Sequence, residues 1–264
     1  MPTAPSWRCC GPCPRPEGNA GGQRLGGSPV IAALPSLWRG LLALISDPSC
    51  PLCAGAVAAE AVVTAPGPAP PAQLCGACLR RLALPEGGLQ GDEPLLWCAA
   101  APYDGALRQL LLRQRPRPEP PLVAALALEW HRCCRQVLPG ALLVPIPSWK
   151  RRGNPLPLLL AQALARWAGP ATQLAPQLLR RRHPTLGQHH LGRTLRQRNQ
   201  QGAFAAVAPS PSGSGSLGRP PLWLVDDILT TGATATAAAA ALEASGHAVQ
   251  GLLALARTPV RRRL

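Results

Sequence analysis

The thirteen residues from Leu222 to Thr234 constrain this chain more than any other segment. An apolar run, Leu222-Trp223-Leu224-Val225, ends in the adjacent acids Asp226 and Asp227. After Ile228 and Leu229 comes the turn Thr230-Thr231-Gly232-Ala233-Thr234, and an alanine-rich stretch follows. Side chains alternate between the faces of a strand, so two adjacent acids cannot share one face of a continuing strand. A carboxylate left unpaired in a core is costly. The reading therefore stops the strand at Val225 and stands both acids at its carboxyl end, where open α/β sheets bind ligands. Residues Ala233 to Gly246 read as a helix with Gly246 as its stop. The free N–H groups and positive dipole end of its first turn suit a phosphate. Gly232 lets the backbone approach a ligand, and the threonine hydroxyls add donors. Carboxylates beside a phosphate make sense if they bind sugar hydroxyls or a hydrated Mg²⁺. The segment holds the parts needed to grip a phosphorylated sugar.

Charge sharpens this. The 264 residues carry 27 Lys+Arg against 12 Asp+Glu, a net +15. From Trp130 through Val225 there is no acid at all, and the first two after that gap are Asp226 and Asp227. A positive field suits a polyanion such as a pyrophosphate compound, and equally suits nucleic acid. No apolar run reaches the length of a membrane span: Leu37 to Ile45 is too short and contains Arg39. The N-terminus has no secretory h-region, so the expected compartment is the cytoplasm, where thiols stay reduced.

Ten cysteines in such a chain favour metal over disulfides. Cys50-x-x-Cys53 and Cys75-x-x-Cys78, separated by 21 residues, read as a zinc ribbon. Each short spacing lets two sulfurs meet one ion, and two pairs complete a closed S₄ site for a structural Zn²⁺. The alternative is two unrelated pairs or a redox motif. Cys98, Cys133 and Cys134 read as packing residues.

Residues 1–36 are rich in Pro, Gly and Arg and read as a disordered or mis-called extension. Residues 37–94 form the zinc-ribbon module with a short helix, Leu37 to Ile45, before it. Residues 95–264 alternate apolar strands with helical stretches. The strands are Leu95 to Ala101, Leu142 to Ile146 and Ala248 to Ala256, beside the run ending at Val225. The helices are Ala106 to Arg115, Leu122 to Leu138 and Leu156 to Trp167. This order argues for an α/β fold with a mainly parallel sheet. The stretch Arg180 to Gln201 is basic and lacks a clear period.

The segment Leu222 to Thr234 resembles the binding signature for phosphoribosyl pyrophosphate (PRPP) of type I phosphoribosyltransferases. Further motifs resemble the ComF family: Val144-Pro145-Ile146-Pro147, Lys150-Arg151-Arg152-Gly153, Leu159-Leu160-Ala161, and the series Arg181, Thr185, Gln188, Leu191, Arg196, Asn199, Gly202-Ala203-Phe204. The likeness covers about residues 37 to 257. One departure stands out: where the family loop reads Arg-Gly-Phe-Asn-Gln, Gly153 is followed here by Asn154-Pro155-Leu156-Pro157.

The resemblance implies a sheet of the type I phosphoribosyltransferase kind with a small N-terminal zinc-ribbon module. It implies that Asp226 and Asp227 are the catalytic acids and hold the ribose hydroxyls. Thr230, Thr231, Gly232, Ala233 and Thr234 wrap the 5′-phosphate, and Mg²⁺ accompanies PRPP. Lys150, Arg151 and Arg152 follow a strand and can meet the pyrophosphate; their alternative is a solvated basic cluster. It also implies a link to natural competence, hence DNA-uptake proteins or single-stranded DNA as partners. Three readings stay open: a phosphoribosyltransferase with an unknown acceptor, a non-catalytic PRPP- or nucleotide-sensing or docking factor of DNA uptake, and a zinc-dependent DNA-binding protein.

Overall fold

Strands buried on both faces read as near-continuous apolar runs, and alternate residues then feed two separate cores. That is the arrangement from Leu222 to Val225, where Trp223 and Val225 enter one core and Leu222 and Leu224 the other. The computed structural model describes residues 49–57, 72–148, 153–182, 202–208 and 220–259. Among these, six strands form one sheet: β1 (Leu89–Gly91), β2 (Trp97–Pro102), β3 (Leu142–Pro145), β4 (Gln173–Leu174), β7 (Leu222–Leu229) and β8 (Val249–Arg257). Their spatial order is β1-β2-β8-β7-β3-β4. Only β1 runs antiparallel to its neighbour. The chain is thus a mixed α/β protein with a mainly parallel sheet. A separate antiparallel pair joins β5 (Leu179–Arg181) to β6 (Phe204–Ala206).

Five α-helices lie among the described residues. Helix α1 (Gly76–Leu82) belongs to the cysteine-rich part. Helices α2 (Gly105–Gln114), α3 (Pro120–Cys134) and α4 (Leu156–Ala168) pack with Trp223, Val225 and Leu253 in one core. Helix α5 (Ala233–Ala244) packs on the other face, with Leu224, Leu252 and Ala254. Its small side chains let it lie close to the sheet, while fully buried residues such as Leu126 and Leu160 opposite contribute about 1.5–3 kcal/mol each. Cys50, Leu74 and Cys78 join the core of α2 to α4, so the cysteine module packs against the sheet domain without a separate core.

The ends of these elements follow local chemistry. Pro120 stands in the first turn of α3, where its missing N–H costs nothing. Gln114 and Glu119 exchange two hydrogen bonds across the proline-rich break between α2 and α3, at 3.1 and 2.7 Å. Helix α3 stops at Cys134, earlier than the expected Leu138, and a turn over residues 135–137, with Val137 N–H on Cys134 O at 3.1 Å, leads into Pro139. At the end of α5, Gly246 at φ +87° closes the helix: its N–H reaches Glu243 O, and His247 N–H reaches Leu242 O. Among the described residues no helix is long and apolar enough to cross a membrane. The expected helix Leu37 to Ile45 and residues 1–36 lie outside the described residues.

Candidate functional site

A crevice forms in an open parallel sheet where neighbouring strands send their following helices to opposite faces. Here those neighbours are β3 and β7. From β3 the chain passes through α4, on one face, to the edge strand β4. From β7 it passes through α5, on the other face, to β8. The carboxyl ends of β3 and β7 therefore flank the crevice, and the loops after them carry the two segments singled out in the sequence.

Strand β7 does not stop at Val225. It pairs with β3 only as far as Pro145 and Val225, where Ile146 N–H still donates to Val225 O at 2.9 Å. Against β8 it continues past Asp226, which faces Ala254, to Leu229. The expectation failed because it took the acid inside the strand to be unpaired, and it is not. Asp227, 1% exposed, receives three donors. Arg115 Nε donates to Oδ2 at 2.6 Å and Arg115 Nη2 to Oδ1 at 3.0 Å. Asn154 Nδ2 donates to Oδ2 at 2.7 Å. A buried carboxylate is tolerated when its charge is paired and its lone pairs are filled.

The carboxyl of Asp226 lies close to that of Asp227 and also feels the Arg115 charge. It is mostly buried but keeps some solvent exposure. Its Oδ1 accepts the Asp227 N–H at 2.8 Å. Burial, and then the neighbouring Asp227 charge, push its carboxyl well above the ordinary range, with Arg115 pulling the other way. Arg181 of β5 lies close enough to feel the Asp226 charge, and stacks on the Phe204 ring at 4.8 Å.

The turn after β7 is held from several sides. Gly232 adopts φ +78°, a conformation that disfavours side chains. A Cβ there would lie 2.3 Å from Pro94 Cγ, so the room at Gly232 is taken by Pro94. Thr231 Oγ1 accepts the Ala233 N–H at 3.4 Å, and Thr236 Oγ1 donates to Gly232 O at 3.1 Å. Arg257 Nη1 donates to Leu229 O at 3.2 Å and also to Thr230 O. The same guanidinium lies over the Trp97 ring at 5.4 Å. Thr230 is exposed and Thr234 partly exposed, with Ala233 at the start of α5.

Lys150, Arg151 and Arg152 lie outside the described residues. The ends of their loop are described: Asn154 N–H donates to Ser148 Oγ at 3.2 Å, and Asn154 Oδ1 accepts Leu156 N–H at 3.2 Å. Asn154 therefore closes the loop base, starts α4 and touches Asp227. His183, His189 and His190 also lie outside the described residues.

Elsewhere, the four cysteines read as a zinc ribbon come together. Their sulfurs all lie within 4.8 Å of one another, with Cys53 and Cys75 Sγ 3.6 Å apart. A tetrahedral zinc-thiolate site has neighbouring sulfurs about 3.8 Å apart. Cys50 to Gly55 is a tight turn: Ala54 N–H reaches Cys50 O and Cys50 N–H reaches Gly55 O, both at 2.8 Å. Gly55 N–H points at Cys53 Sγ at 3.4 Å. Cys75 stands at the start of α1. Burial pushes the Cys50 thiol up, but backbone hydrogen bonds at Cys75, Leu52 and Cys53 outweigh it and hold it at about 7. Burial pushes Cys78 far up, and its thiol neighbours add to this. Four thiols so close ionise together only around a cation, and this donor set fits zinc. Cys98, Cys133 and Cys134 are buried in the core, as read from the sequence.

Arg115, Asn154 and Arg257 are the site residues that the sequence reading missed. Arg115 is one of many arginines and carries no local signal. Asn154 stood out only as a departure from a family pattern.

No family model matches the chain. Over 120 residues it is 35% identical to DNA utilization protein YhgH of Salmonella typhi, covering 44% of this chain and 49% of the relative. Over 166 residues it is 32% identical to DNA utilization protein YhgH of Escherichia coli K12, covering 60% of this chain and 69% of the relative. The chain thus spans about half the length of the first of these relatives and about two thirds of the second.

Proposed function

Because the chain belongs to the family of the DNA utilization protein YhgH, we propose that it is a PRPP-binding protein of the ComF type that serves DNA uptake. One observation carries the ligand assignment. The acid pair stands on β7 and touches the base of the loop after β3 through Asn154, while the glycine turn and the start of α5 follow at the carboxyl end of β7. A phosphorylated sugar fits that combination. The turn Thr230 to Thr234 and the first N–H groups of α5 take the 5′-phosphate. The acid pair takes the ribose side. Lys150, Arg151 and Arg152 belong to the loop that leaves β3 and returns at Asn154, and they meet the pyrophosphate in this reading. Mg²⁺ bound with PRPP would neutralise pyrophosphate charge.

Phosphoribosyl transfer displaces pyrophosphate from C1 of the ribose through an oxocarbenium-like state. Little covalent chemistry falls to the protein, which positions the sugar and stabilises the leaving charge. The acceptor has no counterpart among the residues described. A second reading keeps PRPP binding without transfer, as a sensing or docking factor of DNA uptake. The engagement of Asp227 by Arg115 and Asn154 favours it, since an acid already tied by three bonds is not free to follow a reacting sugar.

Pyrophosphate release from PRPP and Mg²⁺, measured across a panel of nucleobases, separates the two. Release with one base supports the transferase. Binding without release for any base supports the sensor.

A further inference from the structure

Among the described residues three further thiols lie away from the four-cysteine cluster: Cys98 on β2, and Cys133 and Cys134 at the end of α3. The fold brings them together. Cys98 Sγ lies 3.9 Å from Cys133 O, the carbonyl of the peptide bond between Cys133 and Cys134. The two helix thiols then part. Cys133 packs against Gly88, where an added Cβ would stand 2.9 Å from Cys133 Cβ and 3.3 Å from its Sγ. Cys134 turns to Cys98, and these two thiols lie within hydrogen-bonding reach of each other. All three cysteines line one cavity of about 20 Å³, together with Trp97 and the exposed Gln90 and Gln136.

We propose that Cys98 and Cys134 form a peroxide-reactive dithiol, which oxidises to a disulfide that ties α3 to β2. The cavity selects the oxidant: a void of this size takes a guest about as small as water, so hydrogen peroxide enters and oxidised glutathione does not. Cys98 is the attacking thiol. Hydrogen bonding by Cys134 holds it below the ordinary thiol range, against the opposing effect of burial. Cys134, raised by the same contact and by burial, stays protonated as the resolving thiol. Its S–H, which can donate to Trp130 O at 3.1 Å, turns to the Cys98 sulfur when that ionises. Cys133 stands aside: its thiol donates to Glu129 O at 3.4 Å, and burial pushes it up to about 11. In the first step the Cys98 sulfur attacks one peroxide oxygen. An S–O bond forms, the O–O bond breaks, and the released hydroxide takes the Cys98 proton to become water. In the second step Cys134 attacks the Cys98 sulfur. The S–S bond forms, the S–O bond breaks, and hydroxide leaves with the Cys134 proton as a second water. Both thiols are oxidised and one peroxide is reduced to water.

The test treats the whole chain, as purified, with hydrogen peroxide, blocks the remaining thiols and digests it with trypsin without reduction. Cleavage after arginine leaves Cys98 in residues 82–108 and the helix pair in residues 133–135. Mass spectrometry is expected to find these two peptides joined. The joined species is expected in the unaltered protein and in Cys133→Ser, to be absent from Cys98→Ala and Cys134→Ala, and to vanish with dithiothreitol. Oxidised glutathione in place of peroxide is expected to give little of it. The bond also closes a long loop between β2 and α3, so oxidation is expected to raise the melting temperature by about 5 °C or more, reversibly, and not in Cys134→Ala. Should Cys134→Ala fail to fold, fragmentation of the joined peptide from the unaltered protein still places the bond at Cys133 or Cys134.

Three results overturn the inference. A bond through Cys133, lost in Cys133→Ser and kept in Cys134→Ala, makes the wrong thiol the partner. Cys98 oxidised to a sulfinic acid beside an unmodified Cys134 means that the two sulfurs do not meet. Cys98 and Cys134 left as thiols, under peroxide that oxidises Cys50, Cys53, Cys75 and Cys78, makes the pair inert packing. Equal cross-linking by oxidised glutathione would overturn the choice of oxidant. None of these readouts involves PRPP, so the outcome stands apart from the proposed function.

Discussion

Arg115 and Asp227 stand 112 residues apart in the chain and close a two-bond ion pair at 2.6 and 3.0 Å. The arginine is 36% exposed and the acid 1%, so the pair is asymmetric. Removing the arginine strands a buried carboxylate, whereas removing the acid returns the arginine to water. Arg115→Met is therefore expected to lose about 3 kcal/mol of stability, read from urea unfolding. A loss below about 1 kcal/mol, the range of a surface pair, would contradict the burial argument.

Asp226 gives the protein a specific pH dependence. Burial, reinforced by Asp227, raises its carboxyl above the unfolded value of about 3.9. A group raised on folding stabilises fully below the unfolded value, and that contribution is lost as pH rises through the folded value. Asp226→Asn removes the dependence. The variant is thus expected to gain on the unaltered protein as pH rises from about 4 into the neutral range, in paired urea titrations. A stability difference that stays flat with pH would count against this.

Gly232 is tested by adding one methyl group. Alanine at φ +78° strains the backbone, and its Cβ would meet Pro94 Cγ at 2.3 Å. Gly232→Ala is expected to cost about 1–3 kcal/mol in urea and to weaken PRPP binding through the displaced turn. A change under about 0.5 kcal/mol would mean that Pro94 yields freely.

Zinc is expected at one ion per chain in purified protein, held by Cys50, Cys53, Cys75 and Cys78. Cys50→Ser should lose it by elemental analysis. It should also lower the melting temperature, because Cys50 and Cys78 belong to the same core as α2 to α4. Zinc content unchanged in that variant would move the site elsewhere.

The long elements were legible because their signals are local. Leu156 and Ala233 begin helices where the apolar period begins, and the four cysteines declare themselves by spacing. Short elements were not: β1, β4, β5, β6 and α1 have two to seven residues each, too few for any period. The acid pair was legible as a charged motif at the end of an apolar run, but its geometry was not. Stopping the strand at Val225 assumed that no partner awaited Asp227. That partner, Arg115, is supplied by a fold that brings the end of α2 to β7, and no spacing within Leu222 to Thr234 encodes it.

The central claim is that the crevice beside β7 holds PRPP, with the acid pair on its ribose side. Calorimetric titration of PRPP with Mg²⁺ into the unaltered protein and into Asp226→Asn tests it most directly. The account predicts a saturable heat in the first and its loss in the second. No heat from the unaltered protein, or equal heat from both, would contradict it.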